Sequence, residues 1–250
     1  MQRSLQSSFL GGAVVFPGGR VEPQDARALW PASLHTSSAE ADGVWWDEDG
    51  FAARVAGCRE ALEEVGLLPL AGAPVSSDDL RALRAAASVG APELRASLDR
   101  LGRALDLAAL VPLARWVTPE AEQRRFDARF FLARAPAGQE PTVDRHEAIR
   151  AHWATPRQLL DDEAAGTIAL FPPTHRTLEG LLAAPSVDAA IEQARRADLA
   201  PICPRFVLAD GVPTLALPGD PLHAVRERRV AGPTRYVLRG ERWVSEAPPG

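Results

Sequence analysis

Lysine is missing altogether, so all 28 basic side chains are arginine. With alanine and proline both plentiful, this reads as a GC-rich coding bias and carries no function. A basic excess is missing too. The formal charge is −5 at pH 7 and the arginines are scattered, which argues against a nucleic-acid-binding surface, normally a basic patch or stripe. No apolar run approaches the ~20 residues that span a bilayer. The N-terminus, MQRSLQSSFLGGAVVF, lacks the layout of a signal peptide. Two cysteines, Cys58 and Cys203, are too few for a disulfide framework. These absences leave the expectation of a cytoplasmic protein with neither a nucleic-acid nor a membrane partner. Its 250 residues allow one elaborated domain or two small ones.

What is present centres on Phe51 to Leu67, FAARVAGCREALEEVGL. Positions i, i+3 and i+4 share a helix face. Phe51, Val55, Cys58, Leu62 and Val65 therefore make one apolar side, and Glu60, Glu63 and Glu64 crowd the other. Like charges at i and i+4 destabilise a helix by a few tenths of a kcal/mol per pair, roughly. A divalent cation held by oxygen ligands would offset that cost. Gly66 suits the end of the helix, where a positive φ is cheap. Asp47 or Asp49 is placed to cap its start.

Upstream, residues 9–16 (FLGGAVVF) read as a buried strand running into Pro17-Gly18-Gly19. Such glycines serve either an ordinary turn or a close approach of backbone to a ligand. Residues 26–50 read as a surface insertion in which Trp30, Trp45 and Trp46 either cover a pocket or pack against the body. Residues 76–107 read as an inserted αα-hairpin with a stripe of Leu94, Leu98, Leu101 and Leu105. Strands are expected at 110–118, 126–135 (buried on much of both faces) and 147–155, and helices after Pro156, Pro172 and Ser186. Beyond Pro201 the texture is short strands and turns, with Asp210 and Asp220 read as turn residues and 223–230 (HAVRERRV) as a strand. The expected division is 1–200 as one domain and 201–250 as a small β-rich extension.

Gly19-RVEPQ-Asp25 and, further on, Arg59-Glu60-Ala61-Leu62-Glu63-Glu64-Val65-Gly66-Leu67 together resemble the Nudix box, G-x5-E-x7-R-E-U-x-E-E-x-G-U, where U is apolar. Ala61 stands as a small U, and Asp25 stands where the family has Glu. The spacer is 33 residues (26–58) in place of seven. An interrupted box, with FPGGRVEPQDA, WVTPE, RRFDARFFLA and PPTHRTL around it, resembles the branch of Nudix hydrolases that includes the peroxisomal coenzyme A diphosphatases. The resemblance runs from about residue 9 to 184.

The resemblance implies an α/β (α+β) fold, a Nudix-like α/β/α sandwich with a mixed central sheet. It implies a metal-dependent hydrolase that cuts the pyrophosphate bond of a nucleoside diphosphate derivative. Coenzyme A or an acyl-CoA is the first expectation, with ADP-ribose, nucleotide sugars and dinucleoside polyphosphates next. Mg²⁺ or Mn²⁺ would be held by Glu60, Glu63 and Glu64 and a backbone carbonyl of Gly18 or Gly19. Arg59 would orient a box carboxylate, and Glu63, Glu64, Arg59 and Glu147 are the catalytic candidates. Glu147 is either a further metal or base carboxylate or a solvated loop residue. Asp144 and His146 are weaker alternatives. Arg124 and Arg125 either meet substrate phosphates or form an exposed pair. A homodimer is left open. A non-catalytic module that binds a nucleotide or a protein is the competing class, though a pure binder has no need for three aligned acids. An acidic helix without any ligand is the third reading. Only 18 residues precede Gly19, where Nudix domains carry a further strand or two. The sheet is therefore expected to lack an element or to continue upstream.

Overall fold

The structure is a computed structural model that describes residues 1–4, 11–30, 44–143 and 148–249. The chain forms two compact units, Met1–Val111 with Phe131–Trp153, and Pro112–Phe130 with Ala154–Gly250. The architecture is the α+β class expected, with its strands in two-, two- and four-stranded sheets.

The first unit is built around α1, Glu48–Val65. Asp47 caps it, its side chain accepting the Gly50 amide at 2.9 Å, and Glu48 and Asp49 lie in the first turn, where the helix dipole favours negative charge. The helix stops at Gly66, whose φ of 70° a side chain would disfavour. The inserted hairpin follows as α2 (Ser77–Ala87) and α3 (Ala91–Arg100). Phe51, Val55, Cys58 and Leu62 of α1 pack with Leu83 and Ala87 of α2 and with Ala91, Leu94 and Leu98 of α3, closed by Trp30, Leu68, Leu105, Leu107 and Leu110. The hairpin thus supplies the other half of the core that α1 needs. Leu101 departs from the expected stripe and is exposed. Helix α3 ends at Arg100 and the chain turns at Gly102 (φ 58°), so helical period no longer governs Leu101.

The aromatics of the box insertion pack inward. Trp30 is buried, and its indole Nε1 donates to the Gln24 carbonyl at 3.0 Å. The Arg54 guanidinium lies 4.3 Å from the Trp46 ring centre and 5.0 Å from that of Phe131, and it donates to the Leu110 and Val44 carbonyls. The short strands β1 (Gln2–Arg3) and β4 (Ala148–Arg150) pair antiparallel. Arg3 and Val15 amides bond to the Ala13 and Met1 carbonyls at 2.9 and 2.8 Å. The expected strand at 9–16 is therefore shorter where it is described, with one bridge from Val14 to Gln2.

The second unit holds the α-helices α4 (Pro156–Ala164), α5 (Pro172–Leu181) and α6 (Val187–Arg195) and an antiparallel meander. The meander runs in the order β5 (Arg205–Ala209), β6 (Val212–Ala216), β7 (Arg235–Arg239) and β8 (Arg242–Glu246). Asp210-Gly211 turns with φ of 51° and 79°, the type I′ geometry that matches strand twist. Strands β2 (Val111–Val117) and β3 (Asp127–Leu132) make a further sheet. Strand β3 is half-buried to exposed, against the expectation of burial on both faces, because among the described residues β2 alone pairs with it. Trp116, Ile202, Leu217 and Tyr236 form this unit's core.

The expected strand at 223–230 does not form. Residues 217–234 instead wrap around Asp220, which is fully buried and takes both Nε and Nη2 of Arg235 at 2.9 Å, the Thr234 hydroxyl at 3.0 Å and the Leu222 amide at 2.9 Å. Asp220 is thus a buried ion-pair anchor, beyond the turn residue expected. Burial acts to raise its pKa, but the Arg235 fork and the two further donors outweigh it and hold the carboxyl below the usual range. A depressed carboxylate pKa stabilises the fold above the ordinary value of about 3.9 and loses that contribution as pH falls through the folded-state value. Asp220→Asn is accordingly expected to flatten the acid limb of the stability curve below about pH 4, measured by denaturant melts across pH. An unchanged acid limb would contradict it.

Among the described residues, no helix is long and apolar enough to cross a membrane.

Candidate active site

The polar face of α1 presents Arg59, Glu60, Glu63 and Glu64, and the Phe16–Asp25 segment lies against it. The Gly18 amide donates to Glu64 Oε2 at 2.7 Å across 46 residues of sequence. The two glycines are needed for different reasons. Gly18 has a φ of 151°, which L side chains rarely adopt, although a Cβ there would meet open space. Gly19 has no such φ, but a Cβ on it would run into the Glu60 carboxylate. One glycine makes the turn and the other permits the approach.

Arg59 joins the two halves. Its Nε and Nη2 fork onto Asp25 at 3.2 and 3.1 Å, its Nη1 donates to Glu60 Oε1 at 3.0 Å and Glu63 Oε1 at 3.1 Å, and Nη2 also reaches the Arg20 carbonyl at 3.0 Å. Asp25 is fully buried and also accepts the Glu22 amide at 2.8 Å, which fixes the short 3₁₀ turn Pro23–Asp25. Burial alone would lower the Arg59 pKa, yet Asp25 first, then Glu60 and Glu63, raise it above the usual arginine value. Its charge is permanent. The Glu60 and Glu63 side chains are 15% and 25% exposed, whereas Asp25 is wholly enclosed. The accessible carboxylates thus sit at the rim, and the enclosed one braces the loop.

Among the described residues, no three His, Cys, Asp or Glu side chains converge as a ready metal cluster. The reason is visible in the pairing: Glu60 and Glu63 lean on Arg59, and Glu64 on the Gly18 amide. The donor set nonetheless fits a hard divalent cation, which prefers carboxylate and carbonyl oxygens. Asp25, Glu60 and Glu63 share the Arg59 guanidinium, and Glu64 adds a fourth carboxylate beside them.

The fold therefore brings Gly18, Gly19, Arg59, Glu60, Glu63 and Glu64 together. Arg124 and Arg125 belong to the second unit, exposed on the turn between β2 and β3, where Arg125 Nε donates to the Thr118 carbonyl at 3.2 Å. Glu147, Asp144 and His146 lie outside the described residues. Sequence reasoning missed Arg84 of α2, which donates to the Glu63 and Glu64 carbonyls. It sits in no motif, and its only signal was its place beside Leu83 on the packed face of the hairpin.

In this α+β fold a Gly-Gly loop lies against a helix face rich in carboxylates, an oxygen-lined site. Among solved structures, the chain is similar to a NUDIX hydrolase from Alicyclobacillus acidocaldarius, with a TM-score of 0.61 and 30% identity over 76% of this chain and 85% of that one. The chain belongs to the Nudix hydrolase family. It is also 29% identical over 217 residues to an acyl-coenzyme A diphosphatase of Gallus gallus, and 27% identical to the one of Homo sapiens. Each alignment takes in 69% of this chain, and the chain spans 57% of the length of each of these two curated relatives. The chain matches no family model.

Proposed function

We propose that this chain is a divalent-metal-dependent diphosphatase that hydrolyses the pyrophosphate bond of a nucleoside diphosphate derivative, with coenzyme A or an acyl-CoA as its substrate. The carrying observation is the closure of the split box, in which Gly18 bonds Glu64 and Gly19 lies against Glu60 across a 33-residue spacer. The names of the avian and human relatives favour the acyl-CoA class over ADP-ribose, nucleotide sugars or dinucleoside polyphosphates.

In this reading Glu60, Glu63 and Glu64, with a carbonyl of the Gly18-Gly19 turn, hold Mg²⁺ or Mn²⁺. When bound, the cation withdraws charge from the pyrophosphate oxygens and makes water a better nucleophile. Water adds to one phosphorus, the bridging P–O bond breaks, and the departing phosphate oxygen keeps the electron pair and is protonated. Two phosphomonoesters result. Arg59 keeps Glu60 and Glu63 beside the loop, and Asp25 keeps Arg59 in place. Glu147 is the proposed additional carboxylate for metal or proton transfer.

The test is a substrate panel with Mg²⁺, Mn²⁺ or EDTA, read by mass. Coenzyme A is expected to yield adenosine 3′,5′-bisphosphate and phosphopantetheine only when metal is present. Cleavage of ADP-ribose or a nucleotide sugar with CoA left intact would move the substrate class and keep the chemistry. Tight nucleotide binding without cleavage of any panel member would favour the binding module.

A further inference from the structure

Glu63 and Glu64 occupy the last turn of α1, the part of a helix that frays most readily and whose final carbonyls lack helical partners. The last four carbonyls of α1 are nonetheless closed, one by an ordinary helical bond and three from outside the ladder. The Gly66 amide bonds Leu62 O at 3.0 Å, and the Thr142 amide bonds Val65 O at 2.9 Å. The two between them, on the residues that carry the acids, are held by one side chain from the inserted hairpin. Arg84 donates to Glu63 O through Nε at 3.1 Å and through Nη2 at 2.8 Å, and to Glu64 O through Nη2 at 3.2 Å. Its Nη1 donates to the Thr142 hydroxyl at 2.7 Å, which ties the same corner to the loop before β4. Gly66 makes room for this arrangement: a Cβ on it would lie 2.8 Å from Thr142 Oγ1 and 3.2 Å from Arg84 Nη1.

We infer that Arg84 is a positioning residue that fixes Glu63 and Glu64 for cation binding by clamping the last turn of α1 to the inserted hairpin. The inference rests on the metal-dependent reading of α1 given above. A guanidinium suits the role, because its Nη2 bonds both carbonyls while Nε adds a second bond to Glu63 O and Nη1 reaches Thr142, and its charge complements the negative end of the helix dipole. Lysine, with a single nitrogen, lacks the separate Nε and Nη1 donors. The hairpin then does more than fill the core: it transmits order to the acids through one side chain.

The experiment is a Mn²⁺ titration of the full chain, reading free Mn²⁺ by electron paramagnetic resonance, with thermal melts alongside. Loss of a group that orients metal ligands costs roughly tenfold or more in affinity. Arg84→Ala is expected to raise the Mn²⁺ dissociation constant about tenfold and to raise the Mn²⁺ needed for half-maximal hydrolysis in parallel. The rate at saturating Mn²⁺ should stay within about twofold of wild type, since the ligands themselves remain. Arg84→Lys is expected to fall between the two, and it carries the test if Arg84→Ala does not fold. Arg81→Ala is the control on the same helix, because Arg81 is exposed and pairs with the exposed Asp78. A folded Arg84→Ala chain with a lowered melting temperature and unchanged Mn²⁺ affinity would overturn the positioning role and leave a structural one. A wild-type chain that binds no Mn²⁺ overturns the metal reading and this role with it. Wild-type binding matched by Arg84→Ala overturns this role alone.

Discussion

Glu64→Gln is expected to lower hydrolysis about 10³-fold while leaving the fold in place. Glu64 is only 4% exposed, and its Oε2 accepts the Gly18 amide at 2.7 Å. A glutamine at this position keeps the length and one acceptor oxygen, so the Gly-Gly turn retains its anchor. What it loses is the charge that a hard cation requires. Stabilisation of the reacting phosphate by a bound cation is worth several kcal/mol. A loss of about 4 kcal/mol corresponds to roughly 10³ in rate. Steady-state rates at saturating Mg²⁺, with circular dichroism melts of both proteins, check this. Activity near wild type would remove Glu64 from the metal site. A collapsed melting temperature would instead assign it to structure.

Arg59→Met is expected to cost about 4 kcal/mol of stability, within the range of roughly 3–5 kcal/mol for breaking one partner of a buried ion pair. The cost arises at Asp25, which is fully buried and would keep only the Glu22 amide among its bonds described above. For a chain of this size that is a fall in melting temperature of about 10 °C. Asp25→Asn on top of Arg59→Met should recover part of the loss, because the buried charge disappears with its partner. Exposed pairs give the contrast: breaking Arg81–Asp78 should cost under about 1 kcal/mol. Hydrolysis should fall as well, since Glu60 and Glu63 both lose the cation they lean on. A melting temperature within a degree or two of wild type would contradict the bracing role of the Asp25–Arg59 fork.

The parts of this site that were legible in the sequence are those carried by short-range rules. Helical period placed Phe51, Val55, Cys58 and Leu62 on one face and the three acids on the other, and Asp47 and Gly66 bound the helix as capping chemistry requires. The spacing of the box told which residues must meet across the insertion, and Gly18 and Gly19 lie against Glu64 and Glu60. The parts that were not legible depend on where distant segments come to rest. Nothing in the local pattern says that Asp25 is enclosed, or that its two oxygens both fork onto Arg59, 34 residues on. Arg84 is one arginine among 28 until the packing of Leu83 against α1 brings it to the helix end. Leu101 followed the hydrophobic stripe, but its helix had already ended. Strand β3 looked buried because an alternating Phe-rich run does not reveal how many neighbours its sheet has. Asp220 stands in LPGDP, a turn sequence, and only the return of β7 supplies the Arg235 that makes it an anchor.

The central claim is that the acids of α1 and the Gly18-Gly19 turn hold the cation that drives cleavage. Anomalous diffraction from crystals soaked in Mn²⁺ tests it most directly. The account predicts Mn²⁺ density in contact with carboxylate oxygens of Glu60, Glu63 and Glu64, beside the Gly18-Gly19 turn, and its loss in Glu64→Gln crystals soaked identically. Mn²⁺ bound elsewhere, with no density on this face of α1 in a chain that still cleaves the pyrophosphate bond, would contradict it.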